Sequence, residues 1–182
     1  QSAFGYLPNY AKVFSHRPNV MTAWSQLLSA LRQPVDKRTF ELVTLTAAAA
    51  IGSSSCTLVH GTRLAEHIGT DAEGDEIARC IAAGGMPRHL DARDRAIVRF
   101  VRKSVHDAPS VNTGDVQAMR NAGIGDAAIF DIAAIAAGRL FFATLIEALG
   151  SRPDPAMAAT DEMLTAALTV GRPIDTRASE RI

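Results

Sequence analysis

Apolar residues recur every three to four positions along most of the chain, and the runs between glycines, prolines and capping residues have the length of helices rather than strands. Pro18 suits the first turn of a helix running to about Arg32, in which Val20, Trp24, Leu27, Leu28 and Leu31 share a face. Asp36 can cap a second helix that continues through Ala47 to Ala50 and stops at Gly52. A third is expected from the serines at 53 to 55 as far as His67, with Gly69 as its stop, and a fourth from Thr70 or Asp71 to Gly84-Gly85. Asp91 should cap a fifth through about Val105, where Arg99, Arg102 and Lys103 are expected on a solvated face. A short helix over Asp115 to Ala122 and a long one from Asp126 to Leu149 follow. The chain then predicts an amphipathic helix from Pro155 to Val170 and a polar tail that from Arg172 wanders or lies on a partner subunit.

The opening Phe4-Gly5-Tyr6-Leu7-Pro8-Asn9 reads as a turn. The stretch from Asp126 to Leu149 is apolar on nearly every side, and Ala133, Ala134, Ala136, Ala137 and Gly138 allow close backbone approach. Such a helix is expected to be buried all round, part of it against another subunit.

Composition supports the helical pattern. Hydrophobic residues make up 47% of the 182 positions but aromatic ones only 5%, so alanine and the aliphatics supply the apolar mass. The expectation is an all-α protein with one core, residues 1–155 forming a single helical domain with its motif core at 36–105, and residues 156–182 a C-terminal helix and tail. Basic and acidic residues total 19 each, without long single-sign blocks, which argues against nucleic acid or a membrane surface as partner. The stretch from Ala127 to Leu149 could span a bilayer by length, but Asp131, Arg139 and Glu147 interrupt it. No signal-peptide pattern opens the sequence, and two cysteines fit a reducing compartment, so a cytoplasmic location is expected.

The candidate chemistry lies in Ser53-Ser54-Ser55-Cys56-Thr57-Leu58-Val59-His60. Cys56 and His60 are four residues apart on one helix face, and Ser53 is three residues before Cys56 on the same side. Glu41 would meet them if its helix packs antiparallel. A thiol reacts as thiolate, and a helix N-terminus and an imidazole both favour that form. His60 can take the thiol proton, Glu41 can orient the imidazole or relay the proton, and Ser53 can hydrogen-bond the thiolate or a substrate oxygen. Cys80, flanked by Ile77 and Ile81, reads as a core residue. The remaining histidines show no ligand spacing, and one cysteine with one histidine is too few for zinc, so neither a metal nor a cofactor is expected. Glycine-rich phosphate loops and Gly-x-Ser-x-Gly elbows are absent from the sequence.

The spacing Glu41-x11-Ser53-x2-Cys56-x3-His60 resembles the Glu-x11-Cys-x2-Cys-x3-His signature of the alkylhydroperoxidase D and carboxymuconolactone decarboxylase superfamily. Gly5-Tyr6-Leu7-Pro8-Asn9 with His16-Arg17-Pro18 is similar to the amino-terminal segment of its peroxidase-related branch, and Arg38 to Val43 resembles the helix carrying its glutamate. The resemblance implies a bundle of about seven to eight helices, a homo-oligomer (dimer, trimer or hexamer), and a thiol-based peroxidase with Cys56 as nucleophile, His60 as base and Glu41 as relay. The family's first cysteine falls on Ser53, so an internal disulfide is impossible there. A sulfenic acid formed at Cys56 by a hydroperoxide would be resolved by an external small thiol, by a reductant protein or by Cys80, of which the external thiol is favoured. Two other functions fit the sequence: a decarboxylase-like or lactone-handling reaction, and a non-catalytic sensing oligomer with a degenerate site.

Overall fold

The computed structural model describes residues 6–68, 71–158 and 161–176. Among them are nine α-helices and no strand: α1 Asn9–Val13, α2 Pro18–Arg32, α3 Lys37–Ile51, α4 Ser54–Glu66, α5 Asp71–Ala82, α6 Ala92–Asp107, α7 Thr113–Asn121, α8 Asp126–Ala148 and α9 Glu162–Leu168. The expected stop at Gly69 and start at Thr70 lie outside the described residues.

The helix at the centre is α3. Asp36 starts it, accepting from the Thr39 amide at 2.9 Å and the Thr39 hydroxyl at 2.7 Å. Gly52 ends it in the left-handed region at φ 76°, a conformation costly for residues with a Cβ. Every residue from Thr39 to Ala48 is buried, because α4, α5, α6 and α8 surround it. Leu42, Val43 and Leu45 meet Leu58, Ile77, Ile97 and Ile132 in the main core. Arg38 ties α3 to α6 by a 2.6 Å bond to the buried Asp94.

A second, aromatic cluster lies where α2 meets α8. Trp24 stacks on Phe142 with centroids 5.3 Å apart, Phe14 stacks on its other flank at 5.9 Å, and Cys56 is buried in the same cluster.

Three sequence expectations are corrected here, and one is left open. Of the turn expected over 4–9, Phe4 and Gly5 lie outside the described residues and Asn9 already belongs to α1, which with a 3-10 turn at Phe14–His16 carries Tyr10 and Phe14 to the aromatic cluster. The single helix expected from Pro155 to Val170 is instead a 3-10 turn at Pro155–Met157 and the seven-residue α9, which Asp161 caps by accepting from the Leu164 amide at 2.7 Å. The face of Arg99, Arg102 and Lys103 is solvated only in part, because Arg102 donates to the Gly85 carbonyl at 2.6 Å and Lys103 pairs with Asp115 at 2.6 Å. Helix α8 is not enclosed on every side by this chain: Phe130 is 72% and Phe141 46% exposed. It is long and apolar enough to cross a membrane, yet it packs along α3, α2 and α6 and carries the buried Arg139 inward.

The segment from α9 to residue 176 straps the bundle. Thr57 donates its hydroxyl to the Leu168 carbonyl at 2.5 Å, the Gly171 amide donates to Ser54 Oγ at 2.8 Å, and Arg172 Nε lies 3.3 Å from Glu147 Oε2. Through Arg172, Asp175 and their neighbours, the described part of the tail lies on its own chain.

Candidate functional site

Helix α4 begins at Ser53, and the serine run makes sense turn by turn. The Cys56 amide hydrogen-bonds back to the Ser53 carbonyl at 3.1 Å, so Cys56 sits in the first turn, where the helix dipole favours negative charge. His60 follows one turn later on the same face.

Antiparallel packing of α3 on α4 brings Glu41 to His60. His60 Nδ1 donates to Glu41 Oε2 at 2.5 Å, with both side chains buried. Burial pushes the imidazole toward its neutral form, the positive charge of Arg139 adds to that, and together they outweigh Glu41, lowering the His60 pKa to about 4. Burial acts to raise the Glu41 pKa, but the hydrogen bond and charge of His60, with Arg63 and Arg32 behind it, hold the carboxyl below its usual value. Near neutral pH the pair is therefore a carboxylate accepting from a neutral imidazole. That fixes the proton on Nδ1 and leaves Nε2 as the basic nitrogen.

Arg139 completes the site from α8. Its Nη1 donates to Cys56 Sγ at 3.6 Å, and its guanidinium lies 5.5 Å from the Phe142 ring centroid and 6.0 Å from that of Trp24. Only 5% exposed, it has no carboxylate partner among the described residues, and its Nε has no hydrogen-bond partner.

Ser53 lies elsewhere. Its hydroxyl donates to Glu147 Oε1 at 2.8 Å, completely buried, and it is Ser55 that opens onto the cavity in front of Cys56. That cavity, about 280 Å³, is walled by Trp24, Phe40, Phe142 and Tyr10 and lined also by Cys56, His60 and Arg139. Ser55 Oγ has no hydrogen-bond partner. Cys80 is half-buried on α5 and does not line the cavity. Among the described residues no three histidine, cysteine or carboxylate side chains gather as a metal site.

The carboxymuconolactone decarboxylase family profile matches residues 18–97, from the start of α2 into α6. Over those residues the chain resembles that family. The match takes in Glu41, Cys56 and His60 and stops before Arg139, the residue that sequence reasoning passed over. No curated protein matches the sequence. Among solved structures, the chain is similar to the crystal structure of an alkylhydroperoxidase AhpD core, an uncharacterized peroxidase-related protein from Ralstonia eutropha JMP134. That likeness has 24% identity, TM-score 0.72, and covers 91% of this chain and 83% of that one. An uncharacterized peroxidase-related protein from Silicibacter sp. TM1040 is similar at 18% identity and TM-score 0.70, covering 80% of this chain and 76% of that one. The debrominase Bmp8, as a cysteine-to-alanine variant in complex with 2,3,4-tribromopyrrole, is similar at 15% identity and TM-score 0.71, covering 88% and 84%. All three share the fold of this chain.

Arg139 and Ser55 are the site residues the sequence reading missed. A lone arginine in an otherwise apolar helix was the available signal for the first: a buried cation needs an anion or a ring to face. For Ser55 the run of three serines gave no way to choose among them.

Proposed function

We propose that the protein is a thiol-dependent peroxidase-like enzyme of the peroxidase-related branch, reducing organic hydroperoxides through Cys56. The observation that carries this reading is that Cys56, His60 backed by Glu41, and the guanidinium of Arg139, which has no carboxylate partner among the described residues, all line one largely apolar cavity or support a residue that does.

In this mechanism neutral His60 accepts the Cys56 proton at Nε2, and Arg139 faces the thiolate. The sulfur attacks the terminal oxygen of ROOH; an S–O bond forms, the O–O bond breaks, and the alkoxide leaves as ROH with the proton held by His60. Cys56 is oxidised to sulfenic acid as the hydroperoxide is reduced. An external thiol then displaces water to form a mixed disulfide, and a second thiol frees Cys56 as the oxidised disulfide departs. An external reductant fits because Ser53 cannot bridge to Cys56 and Cys80 lies off the cavity on another helix.

The exposed Phe130 and Phe141 of α8 suit contact with a second copy of the chain, and the reading includes a homo-oligomer. A monomeric mass by light scattering at micromolar concentration would remove that part. The reading as a whole is tested by Cys56→Ala, which should abolish thiol-dependent hydroperoxide consumption; a variant with the wild-type rate would end it. Replacing His60 by Gln should cost about 10²- to 10⁴-fold in rate, the range for removing a general base.

A further inference from the structure

The cavity has an uneven charge that catalysis at Cys56 does not by itself require. Its lining includes three arginines, Arg32, Arg63 and Arg139, and no carboxylate. Arg139 is accounted for by the sulfur. Arg32 lies with its guanidinium 4.9 Å from the Phe40 ring centroid, and neither it nor Arg63 has an ion pair or hydrogen bond among the described residues. Both act on Glu41, so their charges reach the catalytic pair, yet Glu41 is already taken by His60. Beyond the charge of Glu41 that both feel, Arg32 and Arg63 line the cavity with no carboxylate in its wall.

At the reacting end the shortage is of oxygen. Ser55 Oγ, in a residue 5% exposed, and Arg139 Nε, equally buried, both lack partners and both belong to residues lining the cavity beside Cys56. Donors left open at such a site suit the two oxygens of a hydroperoxide and the alkoxide that forms from them. Much of the remaining lining is apolar, with Phe142, Leu28 and Met157 offering no strong hydrogen-bonding group to a substrate's body.

We infer that the cavity takes an organic hydroperoxide that also carries a carboxylate: an apolar body bearing its hydroperoxide toward Cys56, Ser55 and Arg139, and its carboxylate toward Arg32 and Arg63. This rests on the peroxidase reading for the fate of the hydroperoxide, but the carboxylate preference rests only on the charges of the cavity.

Two probes of nearly one shape separate the claims: cumene hydroperoxide and its para-carboxy analogue, each reduced with dithiothreitol, whose lack of charge assigns any carboxylate effect to the hydroperoxide. The carboxylate probe should show about tenfold higher kcat/KM, the scale of one added charge-assisted contact. In R32Q/R63Q the ratio should fall toward one, whereas R32K/R63K, which keeps the charge, should retain most of it. Equal consumption of both probes by the wild type overturns the carboxylate assignment and leaves the peroxidase reading standing. Trp24, the only tryptophan in the sequence, lines the cavity and reports binding by fluorescence. If neither probe is consumed but the para-carboxy alcohol product still binds at least tenfold tighter than the neutral alcohol, the peroxidase reading fails and the carboxylate site survives. Loss of that difference as well ends both.

Discussion

Arg139 donates to Cys56 Sγ at 3.6 Å across 83 residues of sequence, and among the described residues that buried guanidinium has no carboxylate to neutralise it. An unpaired buried charge costs several kcal/mol unless something of opposite sign faces it. The neighbouring rings of Trp24 and Phe142 supply part of that, and Cys56 Sγ is the atom to which the guanidinium donates. In the proposed mechanism this cation faces the thiolate of Cys56. Arg139→Gln should therefore slow alkylation of Cys56 by neutral iodoacetamide at pH 7 by about tenfold, the weight of one charge-assisted hydrogen bond. Mass spectrometry of the alkylated Cys56 peptide measures it, and an unchanged rate would show that the guanidinium does not act on the sulfur.

The two charges beside His60 pull its titration in opposite directions, which makes a paired test. Arg139 lowers the imidazole pKa and Glu41 raises it, with burial the largest influence toward about 4. Removing the arginine should move the acid limb of kcat/KM for hydroperoxide upward in pH. Glu41→Gln should move the same limb downward, while cutting the rate because a less basic Nε2 takes the proton less readily. Shifts of the same sign in both variants would show that His60 does not set the acid limb.

Most of the helices were legible because each rests on local chemistry: Pro18 at a first turn, Asp36 and Asp91 as caps, Gly52 at a left-handed stop. Glu41 and His60 were legible because their spacing puts them on facing helices, and a helix pair joined by Gly52 and Ser53 packs antiparallel. The failures have a common physical cause. Arg139, Ser55 and the Arg32–Arg63 pair acquire their meaning from which side of a helix meets the cavity, and neither periodicity nor spacing orients one helix against a non-adjacent one. The break between Pro155 and Glu162 was missed because the apolar spacing continues through it, while Asp161 offers the chain a fresh start. Ser53 was assigned toward Cys56 because they share a helix side. In the fold, a carboxylate from α8 claims its hydroxyl instead.

Acid should loosen the fold through His60. The unfolded imidazole titrates near 6.5 and the folded one at about 4, so between these values the unfolded chain binds the extra proton. Stability then rises with pH across that window and is lost as pH falls through it, by about 1.4 kcal/mol per pH unit at the steepest. Glu41, held below its usual value, adds loss of the same sign at still lower pH. Urea unfolding at pH 7 and pH 5 should show a smaller difference in His60→Gln than in the wild type. Equal differences would mean that His60 is protonated in the folded protein.

The strap depends on a close approach at Gly61, where a Cβ would run into the Leu168 side chain. Gly61 is buried in mid-helix, so an alanine there gains helix propensity of roughly 1 kcal/mol but must displace the buried Leu168 side chain. Gly61→Ala should be net destabilising by about 1–2 kcal/mol, with thermal unfolding as the measurement. Trimming the partner should relieve it: in Leu168→Ala, which by itself opens a cavity and costs about 2–5 kcal/mol, adding Gly61→Ala should cost nothing further. Simple addition of the two losses would show that the glycine serves another contact.

Ser53 stands where the family signature has its first cysteine, and its surroundings say what the hydroxyl does. It is fully buried, it gives its hydrogen to Glu147 Oε1 at 2.8 Å, and Arg172 holds the other oxygen of the same carboxylate at 3.3 Å. The start of α4, the end of α8 and the C-terminal strap therefore meet at one carboxylate. Ser53→Ala leaves Glu147 with Arg172 alone, so the expected loss is that of one hydrogen bond to a charged group, about 1.5–3 kcal/mol, seen as a lower midpoint in urea. Because the hydroxyl is turned to Glu147, peroxide turnover per folded molecule should stay within about threefold of wild type, less than the tenfold that 1.4 kcal/mol at the transition state would bring. Glu147→Gln should reproduce the stability loss in part, since the amide oxygen can still accept from Ser53 but no longer pairs with Arg172. A collapse of turnover in Ser53→Ala with unchanged stability would put the hydroxyl back in the reaction at Cys56.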